Sequence, residues 1–429
     1  EAESAVQKAT WRVTSIGRRG FFMVKLNELF IPSTVTTITT YSICFNYNIT
    51  KIVFLDAKAG ETAENLVIEE KGIHYIPELT KLVLPSRLTD FDYTRITSCY
   101  YISEVTFADD SGEYMAKDNM VCSDRGTRLV WIPQGTSKDV KIPIGIKTIG
   151  ERVFAGYYDV TSVTIPEWLE VIEPYAFYNC YRMTSLTFEG NATSPKLSLA
   201  NYSFYNCYAL KEVELSPNVQ EIGAYAFGHT LSLSKVTVKS VGETVEGETV
   251  PALAFADYAF AEKTAQGEYK YYVTELAIGK DVPTFSIPSV FGDRINNITI
   301  EDGSNYFELQ DKVIFDKGKA EKTLIYLPKG VTGAYTVPDT VDKIGPSAAL
   351  KHSGLTEIEI GNNVTEIGEK AFFGCTQLAT VTFKATSKVE KFGNEAFANC
   401  TSLRSITLPA SLKTFGEKDG AVLVFDGCS

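Results

Sequence analysis

Residues 165–188 read IPEWLEVIEPYAFYNCYRMTSLTF, and this stretch recurs along the chain. Residues 142–165 read IPIGIKTIGERVFAGYYDVTSVTI, so one copy ends where the next begins, 23 residues later. Further copies in the same register begin at Ile31, Leu84, Leu215, Val337 and Ile360. They share the frame I-P-x-x-V-x-x-I-G-x-x-A-F-x-x-C-x-x-L-x-x-V-x-F. Self-similarity at a fixed period of this length predicts a solenoid of stacked coils.

The frame also predicts the course of each coil. Apolar positions are too few in one copy to form a core, so neighbouring copies must stack and share one. Leu186-Thr187-Phe188 alternates apolar and polar residues, the pattern of a strand with one buried face. The Pro that follows cannot donate to a sheet and ends this strand. The frame Gly then supplies a sharp bend into Ala-Phe-x-x-Cys, which predicts a short helical or 3₁₀ turn. We therefore expect an α/β repeat fold, a β-rich solenoid with short turns.

The repeats extend over nearly the whole chain. Residues 1–12 are a polar lead-in, and residues 13–429 are interpreted as a single solenoid. Two stretches near 108–141 and 301–336 leave the period but resemble each other, and both are predicted to be irregular coils that carry a hairpin. Residues 239–250 are rich in Gly, Glu, Thr and Val, which predicts an inserted loop.

Charge and hydropathy limit the classes of partner. The 429 residues include 41 Lys and Arg against 53 Asp and Glu, a net charge of −12 without a basic run. This balance argues against nucleic acid and anionic membranes as partners. No apolar run approaches the roughly 20 residues of a membrane span. The first residue is Glu rather than Met, so we expect a trimmed sequence, whose missing N-terminus is one place for a lipid anchor.

The repeated frame resembles that of the BspA-like leucine-rich repeat family over residues 13–429. The resemblance implies a right-handed leucine-rich-repeat solenoid. It also implies an exported, non-enzymatic binding protein, extracellular or on the outer cell surface, which adheres to a host or neighbouring-cell protein. Some copies depart from the frame. The family Phe is replaced by Ile43, Ile96 and Ala349, and the usual Cys by Tyr157, Thr230 and His352.

Catalytic and metal-binding patterns are not evident. The three histidines, His74, His229 and His352, lie in different repeats, so a structural role is expected for each. A phosphate-binding loop, a zinc pattern and a nucleophile elbow are all missing from the sequence. The nearest candidates for a carboxylate pair are Glu212 with Glu214 and Glu357 with Glu359, for which a solvated acidic face is the favoured interpretation. We expect no catalytic residue, cofactor or metal.

Six of the eight cysteines occupy one position of the frame: Cys99, Cys180, Cys207, Cys375, Cys400 and Cys428. A ladder of buried thiols is the favoured interpretation, because small apolar residues suit a crowded turn. The alternative is a disulfide between adjacent coils, such as Cys180 with Cys207.

Tyrosine is the most distinctive local signal. It lies two residues before the frame Phe, directly after it, or directly after the Cys position. Stacked coils would align these rings in rows on one flank, a contact surface for a partner. The candidate partner-binding residues are Tyr158, Tyr175, Tyr178, Tyr181, Tyr202, Tyr205, Tyr208 and Tyr225.

Several alternatives to this surface stay open. The tyrosines can instead cover the edge of the core, and the polar strand face is a second candidate surface. The partner, expected on the extracellular side of a monomer, is a protein or a glycan. The alternative function is therefore carbohydrate binding by the tyrosine rows. A glycan-degrading enzyme with acidic residues on the strand face is the rival from another class.

Overall fold

The computed structural model describes residues 12–57, 62, 64–109, 111–133, 138–240, 253–283, 285–317, 320–416 and 423–428. The chain divides into two compact units. The N-terminal unit is Glu1–Val160 with Val171–Phe177, and the C-terminal unit is Thr161–Glu170 with Tyr178–Ser429. The predicted β-solenoid, with its period of about 23 residues and almost no helix, is confirmed. Apart from Arg12, Lys239 and Ser240, the predicted lead-in and the predicted loop at 239–250 lie outside the described residues.

Three ladders of short parallel strands build the first coils of the N-terminal unit. The first ladder is Ser15–Ile16, Thr37–Ile38, Leu66–Ile68 and Leu88–Thr89. The second is Phe21–Phe22, Ile43–Cys44, Ile73–His74 and Ile96–Thr97. The third, which ends each repeat, is Glu28–Ile31, Lys51–Phe54, Lys81–Leu84 and Glu104–Phe107. Leu29 and Ile31 are buried between exposed neighbours, the alternation that the sequence predicts.

Antiparallel strands follow where the sequence leaves the period. They are Met115–Lys117, Met120–Ser123 and Arg128–Trp131, with a 3₁₀ turn at Asp124–Gly126. Parallel pairing then resumes in this unit with Thr148–Ile149 and Val171–Ile172. Strand Asp139–Lys141 completes the unit.

The C-terminal unit repeats this arrangement. Its repeat-ending strands are Ser162–Ile165, Ser185–Phe188, Glu212–Leu215, Lys235–Val238, Glu275–Ile278, Asn297–Ile300, Gly333–Thr336, Leu355–Ile360 and Thr380–Phe383. The strands that correspond to the first ladder of the N-terminal unit are Leu197–Leu199, Val219–Ile222 and Ala254–Phe255, and later Lys343–Ile344, Glu366–Ile367, Lys391–Phe392 and Thr414–Phe415. Antiparallel strands again lie off the period: Phe307–Gln310, Val313–Asp316 and Thr323–Tyr326, and the hairpin Ala261–Lys263 with Tyr269–Tyr271. Among the described residues of this unit, one α-helix forms at Ile287–Phe291, and the Ser286 side chain caps it.

One repeat of this unit is longer than the others, running from Phe188 to Leu215 instead of over 23 residues. Within the described residues, Ser185–Phe188 and Glu212–Leu215 belong to separate sheets. The strand ladder is therefore interrupted at this coil. The turn on the other side of the coil stays connected, because Asn179 N–H donates to the carbonyl of Tyr205 at 3.1 Å.

The Ala-Phe-x-x-Cys segments form turns, and backbone hydrogen bonds join each turn to the equivalent turn of the next coil. Around Phe204, the N–H groups of Tyr202, Phe204 and Asn206 donate to the carbonyls of Ala224, Ala226 and Gly228 in the next coil. Tyr202 and Asn206 have left-handed backbone angles, with φ of 59° and 66°. The left-handed residues on the two sides of the Phe orient every second N–H group toward the next coil. The hydrogen bonds between coils therefore satisfy these N–H groups without a helix.

The frame glycines have a different role from the predicted bend. Gly223 and Gly393 are not among the residues with positive φ. A Cβ atom on Gly223 would lie 2.5 Å from the backbone nitrogen of Asn201, and one on Gly393 would lie 2.3 Å from that of Glu369. The frame keeps Gly here because the backbone of the adjacent coil approaches too closely for a side chain.

The core of the turns is a stack of phenylalanines. In the C-terminal unit the rings of Phe204, Phe227, Phe260 and Phe291 follow one another with centroids 5.1, 5.1 and 4.6 Å apart. All four are fully buried. The frame Phe therefore fixes the register of the coils and places the residues beside it on the flank of the solenoid.

Candidate functional site

Tyrosine rings on the turn flank of the C-terminal unit form two stacked rows. The row two residues before the frame Phe contains Tyr202, Tyr225 and Tyr258, with centroids 5.1 and 6.2 Å apart. Tyr269 from the hairpin extends it, 3.9 Å from Tyr258 and nearly parallel to it. These rings are all half-buried. The row follows from the repeat, because the backbone ladder of the turns sets the spacing of the rings.

The second row lies on the other side of the frame Phe. Tyr178 stacks on Tyr205 at 6.0 Å, and Tyr181 stacks on Tyr208 at 4.8 Å, with interplanar angles of 13° and 16°. An edge contact of 5.4 Å between Tyr202 and Tyr205 joins the two rows. We refer to the eight rings together as the tyrosine face: Tyr178, Tyr181, Tyr202, Tyr205, Tyr208, Tyr225, Tyr258 and Tyr269.

Six of the eight candidate residues from the sequence belong to this face. The other two, Tyr158 and Tyr175, lie in the N-terminal unit. Tyr158 is 57% exposed. Tyr175 lies under the guanidinium of Arg152, whose carbon is 4.7 Å from the ring centroid. The candidates from the sequence omit Tyr258, although it lies two residues before the frame Phe. They also omit Tyr269, because it comes from an off-period hairpin and no frame position marks it.

A polar group borders the second row. His229 is in edge contact with Tyr208, and its Nε2 lies 3.6 Å from a carboxylate oxygen of Glu262. The hydroxyl of Tyr272 donates to the same carboxylate. Asn206 donates from Nδ2 to Oδ1 of Asn179 at 2.7 Å, and its own Oδ1 contacts the His229 ring. This network anchors the edge of the tyrosine face.

The surroundings of the Tyr225 and Tyr205 hydroxyls favour their protonated form. Burial, followed by the hydrogen bond with Tyr269, raises the pKa of Tyr225 to about 12. Burial and then the charge of Glu262 raise the pKa of Tyr205. Neutral phenols donate and accept hydrogen bonds while their rings offer apolar area. A surface of this kind can contact a partner through both ring packing and hydrogen bonds.

The candidate carboxylate pair on the strand face is solvent-exposed. Glu212 and Glu214 border a groove of about 310 Å³ beside the interrupted strand ladder. Their side chains are 73% and 56% exposed, and each forms an ion pair with a lysine, Glu212 with Lys235 and Glu214 with Lys239. Glu357 and Glu359 lie on the strand Leu355–Ile360. Exposed ion pairs of Glu212 and Glu214 with these lysines are typical of a solvated strand face.

The other two histidines and the cysteines have structural contacts. His352 is buried and hydrogen-bonded to the backbone, and His74 packs edge-on against Tyr41 and Phe45. The cysteines are present as thiols, and all except Cys428 are buried, as the thiol ladder predicts. Cys375 and Cys400 donate from Sγ to the carbonyls of Ala349 and Phe372. Across the described ranges, no group of three or more His, Cys, Asp or Glu is placed to hold a metal ion.

The helices of the described part of the chain include none that is both long and apolar enough to cross a membrane.

Comparison with known proteins agrees with the repeat frame. The family model described as BspA type leucine-rich repeat region, in 6 copies, matches residues 7–117, 134–250 and 333–419, more than half of the chain. Among solved structures, the pneumococcal vaccine antigen PcpA is similar at 20% identity, covering 73% of this chain and 79% of that chain, with a TM-score of 0.52. A leucine-rich cell surface protein from Faecalibacterium prausnitzii is similar at 24% identity, covering 74% and 85%, with a TM-score of 0.45. No curated protein is significantly similar in sequence. The frame, the stacked coils and the matched ranges together show that this chain belongs to the BspA-type leucine-rich repeat family.

Proposed function

We propose that this protein is an exported, non-enzymatic protein of the cell surface that adheres to a protein of a host or neighbouring cell through its tyrosine face. The observation that supports this most is the parallel stacking of half-buried tyrosines in two joined rows. Family membership supports the surface role, because BspA-type repeat proteins and their structural neighbours are bacterial surface proteins. Leucine-rich repeat proteins also commonly bind proteins.

The tyrosine face suits protein recognition for a thermodynamic reason. A protein interface must offset the entropy lost when its side chains become ordered, about 0.5–1.5 kcal/mol for each flexible side chain. Rings such as Tyr181 and Tyr208 are already held against each other, so little further ordering is required. Tyrosine is also enriched among the residues that dominate interface energies. The face therefore offers apolar area and hydroxyl groups at low entropic cost.

Binding to arrays of extracellular-matrix proteins and of glycans tests the proposal, with a variant in which Tyr178, Tyr181, Tyr205 and Tyr208 are replaced by Ser. The matched control replaces four tyrosines of the N-terminal unit, Tyr47, Tyr75, Tyr100 and Tyr101, which are all solvent-exposed. We expect binding to a protein to weaken by about tenfold or more in the first variant, equivalent to roughly 1.4 kcal/mol, and to persist in the control.

Thermal unfolding of both variants checks that the solenoid is intact, and each should retain a single cooperative transition. Equal binding by the two variants, or no binding to any protein of the array, contradicts the proposal. Binding to glycans alone that is lost in the first variant would instead support carbohydrate recognition by the same rows.

A further inference from the structure

A polar pocket lies beside the far end of the tyrosine face, in the C-terminal unit. Its volume is about 470 Å³, and its lining includes Tyr269, Lys270, Asp293, Arg294, Asn296 and Lys329. Small-molecule sites in proteins span about 300–1,000 Å³, so this pocket can take a ligand of one or two sugar rings' size. None of the frame positions marks it, because it is built from the hairpin and the irregular coils.

The pocket is positively charged in an acidic protein. Lys329 is neutralised by Asp293, with 2.8 Å between Nζ and Oδ2. Lys270 and Arg294 are exposed, and neither is in an ion pair with a carboxylate of the described residues. The residues that line the pocket thus carry three cations and one carboxylate, on a chain whose net charge is −12. Such a local excess attracts an anionic group.

The same pocket has an aromatic wall and neutral polar groups. One face of the Tyr269 ring is covered by Tyr258, at 3.9 Å and 10° between planes, which fixes the ring in place. The Asn296 side chain is exposed and can donate and accept, while Asp293 can only accept. A ring for stacking, an amide and an acceptor carboxylate are the groups that match the C–H face and hydroxyls of a sugar.

We propose that this pocket binds an acidic sugar residue of a glycan, with the carboxylate or sulfate of the sugar held by Lys270 and Arg294 and its ring packed against Tyr269. An acidic peptide fits less well, because its carboxylate side chains offer no ring to pack against Tyr269 and no hydroxyl to donate to Asp293. In a sugar, the same carboxylate accepts from a hydroxyl. The site is separate from the four tyrosines that test protein binding.

Titration calorimetry with four probes tests the inference: sialyllactose, a heparin tetrasaccharide, neutral lactose and a hexaglutamate peptide. The variant Lys270→Gln with Arg294→Gln removes two of the three cations that line the pocket. The control variant Lys211→Gln with Arg404→Gln removes the same charge from two exposed positions elsewhere in the unit.

We expect one of the two acidic sugars to bind, and lactose to bind at least about tenfold more weakly. The affinity for the acidic sugar should fall about tenfold or more in the pocket variant only, because that variant loses charge-assisted hydrogen bonds. The affinity should also fall as salt rises from 50 to 500 mM. Failure of both acidic sugars to bind, equal binding of lactose, equal losses in the two variants, or tighter binding of the peptide would each overturn the proposal.

Discussion

Nε2 of His352 lies 2.9 Å from the carbonyl oxygen of Pro328, in the preceding coil. A carbonyl can only accept, so Nε2 carries the proton. Nδ1 in turn accepts from the backbone N–H of Leu355 at 3.0 Å. Both ring nitrogens are therefore used by the neutral tautomer, and a second proton on Nδ1 would break the bond to Leu355. His352, which replaces the family Cys in this repeat, therefore links two coils by hydrogen bonds in its neutral form.

Folding stability should fall at mildly acidic pH because of this histidine. Burial lowers the pKa of His352 below its ordinary value of 6.5. The unfolded chain then binds a proton that the folded chain does not, so the free energy of unfolding decreases as pH falls below about 6.5. Burial lowers the pKa of His74 as well, which adds to the same trend.

Urea unfolding of the wild type and of His352→Asn between pH 7.5 and 5.5 measures the contribution. The variant should be less stable at pH 7.5 and show a shallower loss of stability with acid. The difference in slope is at most about 1.4 kcal/mol per pH unit for one group. Parallel pH profiles for the two proteins would contradict a neutral His352.

Replacing Gly393 by Ala should destabilise the C-terminal unit by about 1–3 kcal/mol, the usual cost of forcing extra volume into a packed site. The new methyl group would lie 2.3 Å from the backbone nitrogen of Glu369. Gly17 provides a matched control, since it occupies the same frame position with nothing within 4 Å of its ideal Cβ. Gly17→Ala should be neutral or slightly stabilising. The measurement is the denaturant midpoint of each variant. Equal shifts of the midpoint at the two positions would show that close contact with the adjacent coil is not why the frame has Gly at this position.

Left-handed positions in the turns should prefer Gly over other residues even where the sequence has lysine. Lys351 is exposed and has φ of 50°. Lys351→Gly should stabilise the protein by about 0.5–1 kcal/mol, because relief of left-handed strain, about 1–2 kcal/mol, exceeds the entropy cost of Gly. Lys351→Val should destabilise it, since a β-branched residue tolerates this conformation poorly.

The same pair of substitutions at Lys211, which is exposed but not left-handed, is the control. There Gly should be the destabilising change. If Gly stabilises neither lysine position, or stabilises both, the left-handed ladder does not set the preference.

Much of the fold could be predicted from the sequence because the period repeats so often. The frame identifies the buried strand residues, the phenylalanine stack and the rows of tyrosines, all of which recur with the same spacing. One of the two left-handed positions was also visible in principle, since Asn179, Asn206 and Asn399 occupy it and Asn adopts this conformation more readily than most residues.

The remaining features depend on contacts between coils or lie off the period. Tyr202 and Tyr225 give no local signal for a left-handed backbone, which the ladder of the turns imposes on them. The role of Gly393 depends on the backbone of another coil. The pocket near Arg294 joins a hairpin to irregular coils, and no single repeat contains its parts.

The interrupted strand ladder between Ser185–Phe188 and Glu212–Leu215 has a mechanical consequence. At this coil one flank retains the backbone bond from Asn179 to Tyr205 and the stacked rings. The two described repeat-ending strands, Ser185–Phe188 and Glu212–Leu215, belong to separate sheets. This coil therefore resists bending toward one flank more than bending toward the other. A force that separates the strands of adjacent coils breaks no sheet hydrogen bonds between these two strands. A force that separates the turns on the tyrosine side must break the backbone hydrogen bond and the ring contacts. We therefore expect this coil, under tension from a tethered partner, to open on its strand side more readily than on the side of the tyrosine face.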